Sequence, residues 1–322
     1  MTTTWIDAVV TDRTMTTPRV VVLNLEPIDG TPFPEHEAGA HIDVLLGPLG
    51  SDTALVRQYS LCGEPGNRKR YRIAVLREEQ SRGGSAAIHR LEVGDHVQIS
   101  APRNNFPLTS ARRHLLFAGG IGITPLVAMA QQLDATGGDY TLHYCARSAP
   151  EVALAELFAD HPRVVLHLDD QPDDQRLGLR RDLGPPAEDT AVYVCGPGPF
   201  IDYVLDGARE LGWPPNALHK ERFTPTATAA DAGPGDGFTV RLASTGAEYH
   251  VAPEESVLDV LLRNGVDAPS SCQQGICGAC VLRVLAGEPD HRDDVLTDEE
   301  RADGLFATCS SRALGHHLEL DL

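Results

Sequence analysis

Residues 272–280 read CQQGICGAC and place three cysteines, Cys272, Cys277 and Cys280, on one short loop. A fourth cysteine, Cys309, follows after 28 intervening residues. The spacing C-x4-C-x2-C…C is typical of [2Fe–2S] cluster ligands, with three thiolates on a tight loop and the fourth on a distant segment. The alternative is a four-cysteine zinc site, but structural zinc usually takes two C-x2–4-C pairs and Cys309 has no such partner. The spacing therefore favours an iron–sulfur cluster.

Charge and composition narrow the class of protein. The chain has 322 residues, enough for two or three domains, and a net charge of −19 with a pI near 5.0. This acidity argues against nucleic-acid binding and against an electrostatic membrane anchor. The sequence has no apolar run of the about 20 residues that span a membrane and no visible signal peptide. We expect a soluble, cytoplasmic and monomeric protein that does not rely on disulfides.

The sequence divides into three blocks, with a linker between the second and the third. Residues 1–109 are rich in short strands punctuated by turn residues, which predicts an antiparallel β-barrel. Residues 110–224 alternate strands with helices, the pattern of a parallel α/β sheet. Residues 225–235 lack apolar periodicity and read as a linker, and residues 236–322 form the cysteine-bearing third block.

Several elements are predicted in detail. Thr124 is expected to cap a helix that has Pro125 at its first position and runs over 126–133. The S-x-x-E spacing at Ser148 predicts a helix reaching about Ala159, and Thr297 with Glu300 predicts a short one. A further helix is expected from the N-cap Ser256 to about Arg263. The remaining predictions are strands over 19–25, 41–46, 71–76, 96–100, 115–118, 141–145, 164–168 and 191–195, a helix over 200–211, and a hairpin from 238–242 to 248–251.

Two patterns in the first block suggest a flavin. Arg57, Gln58, Tyr59 and Ser60 bring a cation, an aromatic face and a hydroxyl into four residues, and alternate strand residues share a face. Gly83, Gly84 and Ser85 precede an apolar helical run, a sequence suited to a phosphate. The first pattern alone is also explained by a barrel strand with a salt-bridged arginine. The two patterns together indicate a flavin site more strongly than either pattern alone.

Two glycine turns in the second block suggest a nucleotide. The sequence GGIGITP (119–125) follows an apolar strand, and CGPGPF (195–200) follows another. Such turns offer backbone N–H groups and a helix dipole to a pyrophosphate, although neither is a G-x-G-x-x-G motif. Tight packing alone would also explain a glycine turn, but two at the carboxyl ends of strands favour a ligand crevice.

Taken in order, these motifs resemble the phthalate dioxygenase reductase family over nearly the whole chain. The resemblance implies a flavin-binding β-barrel, a nucleotide-binding α/β domain similar to those of ferredoxin–NADP reductases, and a C-terminal β-grasp ferredoxin domain. It further implies that electrons pass from NADH through FMN and the cluster to a terminal oxygenase. Ser60 and Cys195 are then the catalytic candidates beside the flavin and the nicotinamide. The candidate cofactor-binding residues are Arg57, Gln58, Tyr59, Ser60, Ala74, Val75, Leu76, Gly83, Gly84, Ser85, Gly119, Gly120, Gly122, Thr124, Pro125, Arg147, Ser148, Cys195, Gly196, Pro197, Glu221 and Phe223.

The sequence also bears on the choice of flavin, nucleotide and partner. No aromatic residue beside Gly83–Ser85 is placed to stack on an adenine, which favours FMN over FAD, and no basic cluster follows Arg147, which favours NADH over NADPH. A Rieske non-haem iron oxygenase acting on an aromatic acid or as an O-demethylase is the expected partner. The alternatives are a cytochrome P450 partner, a ferredoxin-type carrier without NADH oxidation, and a zinc module without redox activity.

Acidic residues concentrate in the third block. Residues 236–322 hold 16 acidic and 6 basic side chains, and Asp293, Asp294, Asp298, Glu299 and Glu300 lie close together in sequence. Solubility alone would explain this charge, but it also suits steering towards a basic partner surface. None of the 13 histidines has the sequence spacing typical of metal ligands.

Overall fold

The computed structural model describes residues 4–47, 55–79, 83–158, 161–224 and 237–322. It separates into two compact units, one spanning Thr4–Phe223 and the other containing the C-terminal residues from Thr224 to Leu322. The predicted linker, 225–235, lies outside the described residues, and the division of the chain into three blocks stays a prediction. No helix among the described residues has both the length and the apolar character needed to cross a membrane.

The N-terminal part of the first unit is an antiparallel six-stranded sheet. Its spatial order is β4-β3-β6-β1-β2-β5, and an isolated bridge from Leu61 to Ile73 brings its two outer strands together. This closure makes the predicted barrel, whose interior is filled by aliphatic side chains that alternate along the strands. The elements are β1 (Trp5–Thr17), β2 (Val20–Pro27), β3 (His41–Leu46), β4 (Leu55–Ser60), β5 (Tyr71–Leu76), α1 (Gly84–Ile88) and β6 (His96–Ser100).

The remainder of the first unit is a parallel five-stranded sheet with helices packed on it. The order β11-β10-β7-β8-β9 places the change in winding direction between β7 and β10, where the carboxyl ends of strands open a crevice in such folds. The elements are β7 (Arg113–Gly119), α2 (Ile123–Thr136), β8 (Asp139–Ala146), β9 (Val164–Leu168), α3 (Leu179–Asp182), β10 (Thr190–Cys195), α4 (Gly198–Glu210) and β11 (Leu218–Glu221).

Two predicted helix starts in this sheet are wrong. Gly122, rather than Thr124, is the N-cap of α2, and Pro125 is the third rather than the first helical residue, because a 3₁₀ turn over Gly120–Gly122 runs directly into the helix. The helix predicted from Ser148 is replaced by two 3₁₀ turns, Ala149–Glu151 and Ala155–Leu157. The Ser148 side chain makes no capping bond, and Leu154 has a left-handed φ of 57° that an α-helix does not allow. Ala159, the predicted end, lies outside the described residues.

The C-terminal unit is a mixed five-stranded sheet in the order β13-β12-β16-β14-β15. Both predicted caps are confirmed: Ser256 accepts a hydrogen bond from Asp259 N–H, and Thr297 forms a reciprocal capping box with Glu300. The parallel pairing of β12 with β16 and the helix packed against the sheet agree with the expected β-grasp fold. The elements are β12 (Phe238–Leu242), β13 (Glu248–Val251), α5 (Val257–Arg263), β14 (Val281–Asp290), α6 (Asp298–Ala302), β15 (Leu305–Ala307) and β16 (Arg312–Leu320).

Candidate functional site

The four clustered cysteines lie together in the C-terminal unit. The Cys272 thiol contacts that of Cys277, and the Cys280 thiol contacts that of Cys309. Cys277 also interacts with Cys280, and Cys272 with Cys309, so each sulfur has two others as neighbours. Cys277, Cys280 and Cys309 are buried and Cys272 is partly exposed. The structure thus brings together the four thiols that the sequence predicted, from two segments of the chain. This arrangement suits a diiron cluster near the surface.

Backbone N–H groups point at these sulfurs. Gly275 N–H donates to Cys309 Sγ at 3.1 Å, and Gln274 N–H donates to Cys272 Sγ at 3.3 Å. Ala279 N–H donates to Cys277 Sγ at 3.4 Å. Gln273 carries the left-handed φ of 56° that turns the loop inward. Hydrogen bonds of this kind stabilise negative charge on thiolate sulfur, so the loop suits a group that gains an electron.

Asp293 lies next to the cluster loop, and the sequence did not single it out as part of the site. Its buried carboxylate accepts hydrogen bonds from Ser311 Oγ at 3.1 Å and Leu296 N–H at 2.9 Å, and Arg301 lies 3.5 Å from it. Its neighbour Asp294 donates through N–H to the carbonyl oxygen of Gly275. The sequence grouped Asp293 with surface charge, and only the fold places it beside the two segments that bear the cysteines.

In the barrel, Arg57 lies against the predicted phosphate loop. A Cβ on Gly84 would stand 2.6 Å from Arg57 Cγ and 2.8 Å from Arg57 Nε, so only glycine allows this approach. Gly83 has a φ of 93°, which turns the chain into α1. Ser85 Oγ accepts a hydrogen bond from Glu78 N–H at 3.1 Å. The structure thus brings the guanidinium-bearing side chain and the glycine loop together, as a phosphate-binding cradle requires.

The remaining predicted flavin residues lie on β4 and β5. Tyr59 is half-buried, and burial raises the pKa of its phenol. Gln58 donates through Nε2 to Asp43 at 3.1 Å. Ala74 and Val75 are buried and Leu76 is half-buried, while the carbonyl oxygen of Val75 already contacts His89 Nε2 at 2.9 Å.

The two glycine turns of the parallel sheet pack directly on each other. A Cβ on Gly122 would stand 2.2 Å from the carbonyl oxygen of Cys195, and one on Gly196 would stand 3.0 Å from Gly119 Cα. Pro197 and Phe200 complete the contact around Gly119. Both turns end adjacent strands, β7 and β10, so the predicted crevice lies at the switch in winding direction.

Three side chains from the barrel and the parallel sheet meet beside these turns. Ser60, at the end of β4, forms a side-chain hydrogen bond with Glu221, at the end of β11. Glu221 pairs in register with Cys195, whose thiol is fully buried. We call Ser60, Cys195 and Glu221 the junction. Both predicted catalytic residues therefore lie in one place, together with a carboxyl group that the sequence had assigned only to cofactor binding.

Burial controls ionisation at the junction. Burial raises the pKa of Glu221 to about 8, against a smaller opposing effect of the Ser60 hydrogen bond. Glu221 Oε2 is buried and has no hydrogen-bond partner in the part of the chain that the structure describes. Burial, aided by the Glu221 carboxyl, also raises the pKa of the Cys195 thiol. At neutral pH the junction therefore carries protonated groups and little charge.

The other predicted nucleotide residues are more scattered. Thr124 is buried, and its hydroxyl donates to Ile121 O at 3.1 Å. Arg147 and Ser148 follow the end of β8, with the Arg147 side chain exposed. Phe223 packs against the core shared by the barrel and the parallel sheet. These positions lie at or beyond the carboxyl ends of strands, where the crevice opens.

Comparison with known proteins assigns the class. Residues 240–314 match the family model of the 2Fe-2S iron-sulfur cluster binding domain, a span that includes all four clustered cysteines. The chain is 48% identical over 326 residues to a vanillate O-demethylase oxidoreductase from Pseudomonas sp. (strain HR199 / DSM 7063), covering 98% of this chain and 100% of that protein.

Two solved structures extend the likeness. Phthalate dioxygenase reductase, described as a modular structure for electron transfer from pyridine nucleotides to [2Fe-2S], matches with 36% identity and a TM-score of 0.71, over 99% of this chain and 98% of that one. An intact type IV self-sufficient cytochrome P450 monooxygenase matches with 40% identity and a TM-score of 0.86, over 99% of this chain but 41% of that one.

The fold and the cysteine site together define an iron–sulfur oxidoreductase of modular construction. The chain belongs to the phthalate dioxygenase reductase family. It is an electron-transfer enzyme with a C-terminal [2Fe–2S] domain, of the same kind as the oxidoreductase components of oxygenase and demethylase systems.

Proposed function

We propose that the chain oxidises NADH at a flavin held by the barrel and delivers the electrons through its [2Fe–2S] cluster to a terminal oxygenase. The observation that carries the proposal is the junction, where Ser60 of the barrel meets Cys195 and Glu221 of the parallel sheet. A junction of this kind places a barrel-bound ring against a ligand in the nucleotide crevice. When bound, a flavin supplies the exchange between the two-electron chemistry of NADH and the one-electron chemistry of the cluster.

Arg57 and the glycine loop would hold the flavin, which we take to be FMN. The Arg57 side chain lies against Gly84, so its charge and the backbone N–H groups after Gly83 could bind one anionic group together. An FMN phosphate has the charge that this cradle accepts. Tyr59, two residues along β4 from Arg57, would share its face and contact the ring.

The crevice between the two turns would hold NADH. Gly120 and Gly122 form the 3₁₀ turn that precedes α2, and Gly196 and Pro197 lead into α4. Helix starts of this kind favour a pyrophosphate. Arg147 alone, without further basic neighbours, is the reason for choosing NADH over NADPH.

The junction residues would exclude water and hold protons beside the reacting rings. Ser60 keeps its hydroxyl bonded to Glu221, and the pKa of about 8 leaves Glu221 protonated at neutral pH. The Cys195 thiol is buried and stays protonated because burial raises its pKa. Neutral groups of this kind add no charge that would oppose the approach of a hydride.

The terminal acceptor is an oxygenase, and we infer a Rieske non-haem iron oxygenase in an O-demethylase or aromatic-acid dioxygenase system. The 48% identity to a vanillate O-demethylase oxidoreductase along the full length supports an O-demethylase system, and the Rieske centre is what the family resemblance implies. A cytochrome P450 is the second candidate, supported by the TM-score of 0.86 to a self-sufficient P450 monooxygenase.

The visible spectrum of purified protein, recorded before and after anaerobic NADH, tests the proposal. We expect bound FMN, two irons and two acid-labile sulfides per chain, and bleaching on addition of NADH. Cys309→Ser should keep NADH bleaching of the flavin but lose cytochrome c reduction, because a cluster ligand is missing. Cys62→Ser is the matched control, since Cys62 lies in the core of the first unit and its thiol contacts the Arg72 carbonyl oxygen at 3.4 Å. Protein with bound flavin that NADH does not bleach would contradict the proposal.

A further inference from the structure

Three ligand-bearing side chains are buried together on one face of the parallel sheet. His143 lies on β8, His167 lies on the edge strand β9, and Asp182 is the last residue of α3. Their side chains are at most 8% exposed, and one ligand atom from each lies within 4.8 Å of the other two. None of them belongs to the predicted flavin, nucleotide or cluster residues. We call these three residues the His–Asp group.

The hydrogen bonds of His167 place the lone pair of its Nε2 inside the group. His167 Nδ1 lies 3.1 Å from the carbonyl oxygen of Gln175, which only accepts, so Nδ1 carries the hydrogen and Nε2 carries a lone pair. His167 Nε2 lies 3.0 Å from His143 Nδ1 and 4.0 Å from Asp182 Oδ2. A backbone carbonyl that fixes the tautomer of a histidine is a common support of metal ligation.

The other two members are also held in place. The His143 ring stacks on Phe117 with its centroid 4.9 Å away and an angle of 9° between the rings. Its Nδ1 lies 3.0 Å from His167 Nε2, so the two rings already face each other through the atoms that would bind a metal. The ring can carry its hydrogen on Nε2 and offer Nδ1 as a ligand without a change of charge.

Asp182 is ionised and keeps spare acceptor capacity. Its Oδ1 accepts from Arg181 Nε at 2.8 Å, and its Oδ2 accepts from Gly178 N–H and Arg181 Nη2, each at 2.8 Å. A carboxylate offers about four acceptor positions, so one remains after these three bonds. Arg181 also donates to the carbonyl oxygens of Asp174 and Arg176, which gives its guanidinium other partners if a cation displaces it.

We propose that the His–Asp group is a zinc site, with His143 Nδ1, His167 Nε2 and an Asp182 oxygen as protein ligands and water as the fourth. Two neutral imidazoles and one carboxylate are a nitrogen and oxygen set that zinc accepts in tetrahedral geometry. At zinc–ligand distances of about 2.0–2.2 Å, tetrahedral ligand atoms lie about 3.3 Å apart. Two of the three distances, 3.0 Å and 4.0 Å, bracket that value, and the ligand atoms of His143 and Asp182 lie within 4.8 Å of each other. Side-chain rotations would therefore bring the three atoms to ligand distance.

Zinc there would fasten the edge of the nucleotide-binding sheet. β9 pairs only with β8 within the sheet order, and α3 has four residues. A metal bound by β8, β9 and α3 would hold the edge strand and the short helix in one position, and this role is independent of the proposed electron transfer.

Elemental analysis and zinc X-ray absorption on tag-free, flavin- and cluster-loaded full-length protein test the proposal. After weakly bound metal is removed with a mild chelator, we expect one zinc per chain on reconstitution, with an unchanged iron content. The zinc first shell should contain only nitrogen and oxygen atoms at about 2.0–2.2 Å. A shell with sulfur at about 2.3 Å would place the zinc on the cluster cysteines and overturn the proposal, as would the absence of bound zinc.

Variants locate the site within the chain. His143→Phe keeps a ring stacked on Phe117, His167→Gln keeps a polar side chain, and Asp182→Asn keeps the shape of the carboxylate but removes its charge. Each should weaken zinc binding in calorimetric titration by more than the about 10–100-fold that loss of a residue supporting a ligand costs, and abolish the zinc-dependent rise in melting temperature. His161→Gln is the matched control, because His161 also lies near an aspartate, Asp134, but outside the group. Zinc affinity equal to that of the control in all three variants would overturn the assignment.

Discussion

Substituting Gly122 by alanine should separate the two glycine turns that line the proposed nucleotide crevice. The backbone of Gly122 is right-handed, so alanine is allowed there conformationally. Its Cβ, however, would stand 2.2 Å from the Cys195 carbonyl oxygen and 2.5 Å from Gly196 N, where ordinary contact begins at 3.4 Å. Because both of these neighbours are backbone atoms, the turns must move apart by about 1 Å, and a displacement of that size between reacting groups lowers the rate about 100-fold.

Stopped-flow reduction of the bound flavin by NADH measures this effect. We expect the limiting rate in Gly122→Ala to fall about 100-fold and the free energy of unfolding of the first unit to fall by about 1–3 kcal/mol. The cluster spectrum should not change, because the cysteines lie in the other compact unit. Gly178→Ala is the control, since its Cβ would meet only the Arg181 side chain, at 3.6 Å or more. An undiminished rate in Gly122→Ala with flavin bound would refute the reasoning.

Three further predictions concern charge. Burial raises the pKa of Glu221 from 4.5 to about 8, so between these pH values the folded chain keeps a proton that the unfolded chain releases. The melting temperature should therefore fall as pH rises through this range, and Glu221→Gln should remove that dependence. An equal dependence in the variant would contradict a protonated Glu221 in the folded chain. Asp293→Asn should speed loss of the cluster to a chelator, because the Asp293 carboxylate holds Ser311 and Arg301 in place. Asp298→Asn is the control and should not, because Asp298 is exposed and 3.9 Å from the same arginine. Equal rates of cluster loss in the two variants would refute this role of Asp293. Reduction of a basic acceptor such as cytochrome c should slow as ionic strength rises, because residues 236–322 carry a net charge of −10, and a rate insensitive to salt would count against steering.

Sequence spacing predicted a helix start correctly where capping by nearby side chains was enough to form it. The reciprocal capping box at Thr297 and Glu300 formed as expected because both side chains reach the backbone groups they satisfy. The same spacing at Ser148 and Glu151 produced only 3₁₀ turns, since Val152 is extended and Leu154 is left-handed, and both interrupt a helix. Such a conformation is imposed by packing, so the spacing alone does not report it.

Other features depend on contacts between distant segments. β11, with the polar sequence LHKE, forms because it pairs with β10, and that pairing carries Glu221 to Cys195 and Ser60. His143 and His167 lie 24 positions apart and meet because β8 and β9 are neighbours in parallel register. The cysteine spacing, in contrast, already specified its chemistry, because three of the four ligands are local.

Anaerobic titration of the full-length protein with NADH, followed by visible absorption and electron paramagnetic resonance, tests the central claim most directly. We predict that NADH bleaches the flavin and that a reduced-cluster signal accompanies it in the wild-type chain and is absent in Cys309→Ser. A fully loaded protein whose cluster stays oxidised while its flavin is reduced by NADH would contradict the account.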